Sequence, residues 1–119
     1  MGLDMYMFKR KKAIEEVAYW RKANQVRKWF ADTLENFHDN GDTPVTREEL
    51  EELVDTCKKV LSNHELASEL LPTSAGFFYG SQAYDEGYFY DLEITVEMLT
   101  KIIEETDWET EEVLYSEWY

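Results

Sequence analysis

Between Glu93 and Glu112 the chain carries eight carboxylates, Glu93, Glu97, Glu104, Glu105, Asp107, Glu109, Glu111 and Glu112, against one lysine, Lys101. Carboxylates at this density serve one of two ends. They solvate a face and keep the protein soluble, or they display negative charge as a DNA backbone does. In the second case they fit the basic groove of a nuclease or DNA-binding protein. Trp108, Tyr115, Trp118 and Tyr119 are interleaved with them, and aromatic side chains commonly anchor protein interfaces. Glu104, Glu105, Asp107, Glu109, Glu111 and Glu112 are therefore the candidate partner-binding acids, with Trp108 and Trp118 as buried anchors.

A second constellation is Tyr19-Trp20-Arg21-Lys22-Ala23-Asn24. Rings stack a base, cations neutralise phosphate and an amide orients a polar edge. Set against the aromatic segment Phe77-Phe78-Tyr79, it would form a nucleotide or phosphate pocket. Its candidate residues are Tyr19, Trp20, Arg21, Lys22, Asn24, Phe78 and Tyr79. The same residues also read as architecture, with Tyr19 in the core, Trp20 capping a sheet, and Arg21 and Lys22 paired with acids.

Other chemistry is not indicated. Asp85, Glu86, Asp91 and Glu93 match no calcium-loop spacing and read as acids favoured at a helix N-terminus. His38 and His64 have no Cys or second His at ligand spacing. Cys57 falls on an apolar helical stripe, which marks a core residue. P-loop, dinucleotide and HExxH motifs and a nucleophile elbow are absent. The expectation is a protein with no catalytic residue, no metal and no cofactor.

The elements that must position these residues follow from periodicity. Leu3, Met5 and Met7 alternate with Asp4, Tyr6 and Phe8, predicting a short strand. From Ala13 to Phe37 the spacing of Tyr19, Ala23, Val26, Phe30, Leu34 and Phe37 predicts one helix. Residues 38–44 are rich in turn formers and predict a loop. Thr46-Arg47-Glu48-Glu49 is a capping box opening a helix with Leu50, Leu53, Val54, Cys57 and Leu61 on one stripe. Ser62-Asn63-His64-Glu65 repeats the cap before a shorter helix that Pro72 ends. Gly76-Phe77-Phe78-Tyr79-Gly80 suggests a buried strand or tight loop. Tyr88 to Thr106 predicts a helix, with a strand as the alternative for residues 85–95.

Glu111 to Tyr119 predicts a strand antiparallel to the first. That register sets Glu111 and Glu112 beside Arg10 and Lys11, and Trp118 near Leu3. The fold class is thus α+β: a single domain, 1–119, with three to four helices on a short antiparallel sheet formed by the N- and C-terminal strands.

Charge divides the chain. Residues 1–31 carry a net +5 and residues 32–119 a net −19, within an overall −14 over 119 residues. The basic stretch is expected to fold against part of the acidic one, leaving an uncancelled surface that repels nucleic acid and anionic membranes. One cysteine excludes an internal disulfide, and no run of 18 apolar residues is present.

Met1-Gly2-Leu3-Asp4-Met5-Tyr6, Tyr19-Trp20-Arg21-Lys22-Ala23-Asn24, Lys28-Trp29-Phe30, Leu71-Pro72-Thr73, Gly76-Phe77-Phe78-Tyr79-Gly80-Ser81 and Tyr84-Asp85-Glu86 resemble, in this order, a family of small phage and prophage proteins. Members of that family typically carry a His just before the Lys-Trp-Phe motif, where this chain has Arg27. The resemblance implies a virus-encoded accessory protein of the host cytoplasm, for which interference with host defence is a frequent purpose. The expected function is an acidic inhibitor of a basic, nucleic-acid-handling host protein, of the anti-CRISPR or anti-restriction type. It would have no direct nucleic-acid or membrane contact and an optional homo-oligomeric state. The alternative is a small-ligand binding protein or weak enzyme using the Tyr19–Asn24 segment.

Overall fold

The computed structural model describes residues 2–10, 14–75 and 82–118. Their order is β1 (Asp4–Arg10), β2 (Ile14–Arg21), α1 (Asn24–Thr33), β3 (Asp42–Val45), α2 (Arg47–Ser62), a 3-10 turn (His64–Leu66), α3 (Ala67–Leu70), α4 (Glu86–Glu105) and β4 (Glu112–Trp118). The strands form one antiparallel sheet in the order β2-β1-β4-β3. This is an α+β fold, with four helices on a four-stranded sheet.

Strand periodicity decides which side chains enter the core. Met5, Met7 and Lys9 of β1 lie beside Ala18 and Trp20 of β2, and beside Val113, Tyr115 and Glu117 of β4. All are buried. The helices pack on this inner face: Phe30 of α1 stacks on Tyr115 at 4.3 Å, and Trp20 Nε1 donates to Thr95 Oγ1 of α4 at 2.8 Å. Leu50, Leu53, Val54, Cys57 and Val60 of α2 complete the cluster. Cys57 is a core thiol, pushed up to about 12 by burial.

The capping box at Thr46 forms in full: Thr46 Oγ1 accepts from Glu49 N–H at 3.1 Å, and Glu49 Oε1 accepts from Thr46 N–H at 2.8 Å. Thr46→Ala is expected to lower the unfolding free energy by about 1 kcal/mol in a urea titration. Asn63 caps the following turn through Glu65 N–H, and α3 stops at Leu70, ahead of Pro72. Asp85 caps α4 by accepting from Tyr88 N–H at 3.1 Å. Residues 86–95 are helical throughout.

Two sequence expectations change. The single helix over Ala13–Phe37 is instead β2 followed by α1. Residues 14–21 pair with β1, which leaves Tyr19 on the outer face at 41% exposure and drives Trp20 into the core. Their assignments to core and cap are thus exchanged. Lys22 adopts φ 56°, a left-handed turn that separates strand from helix. The helical spacing is real only from Ala23 onward, while α1 itself ends at Thr33.

The 38–44 loop is cut short by β3, which pairs with β4 and buries Thr43 and Val45. Pro44 is tolerated because β3 lies at the sheet edge, where no neighbour needs its missing N–H. The register expected between β1 and β4 is kept: Arg10 pairs with Glu112 as its opposite, and Lys9 also reaches Glu111. Lys11, the segment Gly76–Gly80 and Tyr119 lie outside the described residues.

One acid of the negative half is not on the surface. Glu117 is fully buried. Its carboxylate accepts from Arg27 Nε and Nη2 at 3.0 and 3.1 Å, from Tyr115 Oη at 2.9 Å and from Asn40 N–H at 3.1 Å. Arg27 also pairs with Asp39 at 2.8 Å and lies over the Phe37 ring. This network ties α1, the 39–41 turn and β4 together.

Candidate functional site

The acidic run occupies the end of α4, the turn after it and the start of β4. Glu104 and Glu105 are exposed in the last turn of α4, whose final turn contains no basic residue. The turn is tightly built. Asp107 O accepts the N–H groups of Thr110 and Glu111 at 3.1 and 2.8 Å, Asp107 Oδ1 accepts from Glu109 N–H at 3.1 Å, and Glu111 Oε1 accepts from Asp107 N–H at 2.7 Å. Asp107 and Glu111 therefore shape the turn as well as charging it.

Cations of the basic half reach part of this face. Lys9 Nζ lies 3.4 Å from Glu105 O and 3.8 Å from Glu111 Oε1, with both side chains mostly covered. Arg10 Nη2 meets Glu112 Oε2 at 2.6 Å. That contact raises the guanidinium further above its ordinary value, through the hydrogen bond and then the charge of Glu112. Among the described residues, Glu104, Glu105, Asp107 and Glu109 of this run form no ion pair. The run's uncancelled charge thus sits on four side chains, all exposed.

Trp108 belongs to this face. It is half-buried, donates from Nε1 to Ile103 O at 3.3 Å, and lines a concavity of about 450 Å³ with Val45, Arg47, Glu48, Glu111 and Glu112. Trp118 does not belong to it. It lies six residues beyond Glu112 on β4, roughly 20 Å away by strand rise, and is 58% exposed. Tyr115 is core.

Two acids missed in the sequence join the face: Glu51 and Asp55 of α2 line a groove with Lys58, Thr100, Ile103 and Glu104. Their spacing of four on the polar side of α2 was the available signal. Nothing in the sequence places α2 beside α4.

The Tyr19–Asn24 segment is dispersed rather than gathered. Tyr19 Oη donates to Asp4 Oδ1 at 2.8 Å on the outer face of the sheet, a bond that raises its phenol pKa. Trp20 is core, Arg21 is exposed, and Asn24 is buried with its Oδ1 accepting from Ser74 N–H at 2.9 Å. Lys22 lines a cavity of about 250 Å³ with Gln25, Asp85, Tyr88, Tyr90 and Asp91. Phe78 and Tyr79 lie outside the described residues. Among the described residues no group of His, Cys, Asp and Glu is placed to hold a metal ion.

Asp91 at that cavity is the perturbed carboxyl, pushed up to about 6 by burial, with Asp85 adding and a Gln25 hydrogen bond opposing. A carboxyl whose folded value exceeds its unfolded one stabilises the fold fully below about pH 4 and loses that contribution as pH rises through about 6. Asp91→Asn is therefore expected to be more stable than the native chain at pH 7.5, by on the order of 1 kcal/mol given its partial exposure. At pH 4 the two should match. Urea unfolding of both proteins at the two pH values reads the difference.

Compared with protein-family models, curated proteins and solved structures, the chain matches none.

Proposed function

We propose that this is a non-catalytic binding protein that docks its acidic α4–β4 face on a basic, nucleic-acid-handling host protein. In keeping with its resemblance to phage and prophage proteins, the partner is a defence effector of the CRISPR or restriction type, met in the host cytoplasm. Occlusion of that partner's nucleic-acid channel is the mechanism. Among the described residues no helix is long and apolar enough to cross a membrane.

The observation that carries this reading is the placement of Glu104 and Glu105. They stand exposed at the negative end of α4, where a helix disfavours anions, and Glu109 extends the same charge along the turn. Residues that cost local stability are commonly kept for function. Glu51 and Asp55 widen the face across α2, and Trp108 offers an apolar ring beside it. The small-ligand reading draws less support, because those of its residues that the structure describes point to separate parts of the molecule.

The test is capture from nuclease-treated host lysate, eluted with rising salt. A basic nucleic-acid-handling protein retained by the native chain and lost by Glu104→Lys/Glu105→Lys/Glu109→Lys is expected. Equal retention by both chains, or an empty column, overturns the proposal.

A further inference from the structure

The face of the sheet opposite the helices carries an ordered pattern of its own. Strand pairing sets it in four rows: Arg21, Asp4 and Trp118; Tyr19, Tyr6, Ser116 and Asp42; Glu16, Phe8, Leu114 and Pro44; Ile14, Arg10 and Glu112. The two middle rows are largely apolar. Tyr6 and Phe8 stack at 5.7 Å, and Tyr6 meets Tyr19 at 5.3 Å. Leu114 is buried among these neighbours yet stands apart from the helix-covered core cluster. Tyr19, Trp118 and Ile14 are 41%, 58% and 65% exposed. Among the described residues no hydrogen bond, ion pair or ring contact joins these face residues to a helix.

An apolar centre within a charged rim is the anatomy of a protein interface. We infer that this face binds a second copy of the chain, sheet on sheet, about a two-fold axis running across the strands. Such an axis lays one end row over the other. Asp4 then falls on the partner's Arg10 and Arg10 on the partner's Asp4, while Tyr6 and Phe8 exchange places across the interface. Two packed sheets lie about 10 Å apart with their strands within about 30° of alignment, which suits rings of this size.

Charge selects this occupant over others. The rim holds Arg10 and Arg21 among Asp4, Glu16, Asp42 and Glu112, and under this axis its charges meet in two complementary contacts, Asp4 with the partner's Arg10 and the reverse. It has too few cations to neutralise a nucleic-acid backbone. It is also far less negative than the rest of a −14 chain, and is therefore where two such molecules approach at least cost. The platform measures roughly 19 Å by 24 Å from strand spacing and rise. Counted over both copies that is roughly 900 Å², below the standard size of stable interfaces and in the range of weak ones, which sets the expected Kd in the micromolar range.

Sedimentation equilibrium of the full chain tests this. The native mass is expected to climb from 14.2 kDa toward twice that value with concentration. It should climb further at high salt, where repulsion between the two acidic molecules is screened. Asp4→Arg alone and Arg10→Asp alone are each expected to weaken the dimer at least tenfold. Mixed in equal amounts they should regain native affinity, because each reversed charge then meets its opposite. Isotope-filtered NMR of the mixed-label native protein should show Tyr6–Phe8 contacts between copies, independent of any variant. A native chain that stays monomeric to about 1 mM overturns the inference, as does a dimer without those contacts. Native-like dimerisation of either single variant also overturns it. A monomer that retains oligo(dT) overturns it in favour of base stacking on the same rings.

Discussion

Arg27→Met is expected to cost about 3–5 kcal/mol of stability, the penalty typical of stripping the partner from a buried charge. Glu117 has no exposure, and its four hydrogen bonds include two from the Arg27 guanidinium. Without that cation the carboxylate keeps the Tyr115 hydroxyl and the Asn40 amide, but its charge is left in a medium that solvates it poorly. A domain stable by only about 5–15 kcal/mol would lose a large share of its margin. The double variant Arg27→Met/Glu117→Gln removes the stranded charge as well, so it is expected to recover part of the loss. Urea unfolding of the two singles and the double measures the coupling. A loss below about 1 kcal/mol for Arg27→Met would contradict the assigned role. The second partner, Asp39, is mostly exposed, and losing its contact should matter little.

The second large effect runs in opposite directions for folding and binding. Each Glu→Lys reversal shifts the charge by two, so the triple variant Glu104→Lys/Glu105→Lys/Glu109→Lys carries −8 in place of −14. Binding to a basic partner is expected to fall at least a hundredfold at low salt, mainly through slower association. The fold should gain, because two of the changes place cations at the negative end of α4, worth roughly 0.3–1 kcal/mol each. Thermal unfolding read beside partner affinity separates the cases. A variant that unfolds earlier and binds less has merely been damaged. One that melts later and binds less shows that the native chain gives up stability to keep those carboxylates.

How far the fold was legible depended on how local its causes are. The capping box at Thr46 needs four consecutive residues, and both bonds formed where expected. The β1–β4 pairing was readable from Arg10 and Glu112, whose charges name a register. β2 was not, because Tyr19, Ala23, Val26 and Phe30 satisfy a helical stripe as well as residues 14–21 satisfy a strand. Pairing with β1 decided between them. β3 was hidden by its length of four and by Pro44, which discourages a strand reading everywhere except at an edge. The carboxylates at the end of α4 were visible as a run, but their division into paired and unpaired members was not. That depends on Lys9 and Arg10 arriving from about a hundred residues away. The same distance hid Glu117, whose burial rests on a partner in α1.

The central pair of the sheet joins residues separated by more than a hundred positions, as Arg10 and Glu112 are by 102. During synthesis the β1–β2 hairpin leaves the ribosome first and must wait, with Met5, Met7 and Trp20 turned to water, for its neighbour. Helices of α1, α2 and α4 form meanwhile, but Phe30 cannot take its ring partner until Tyr115 has been made. Closing so long a loop is slow in comparison with local contacts. The protein therefore completes its core only after residues 112–118 are released, and the interval exposes the newborn chain to chaperones and proteases. A shortage of folding helpers should lower its yield more than that of a helical bundle of equal size.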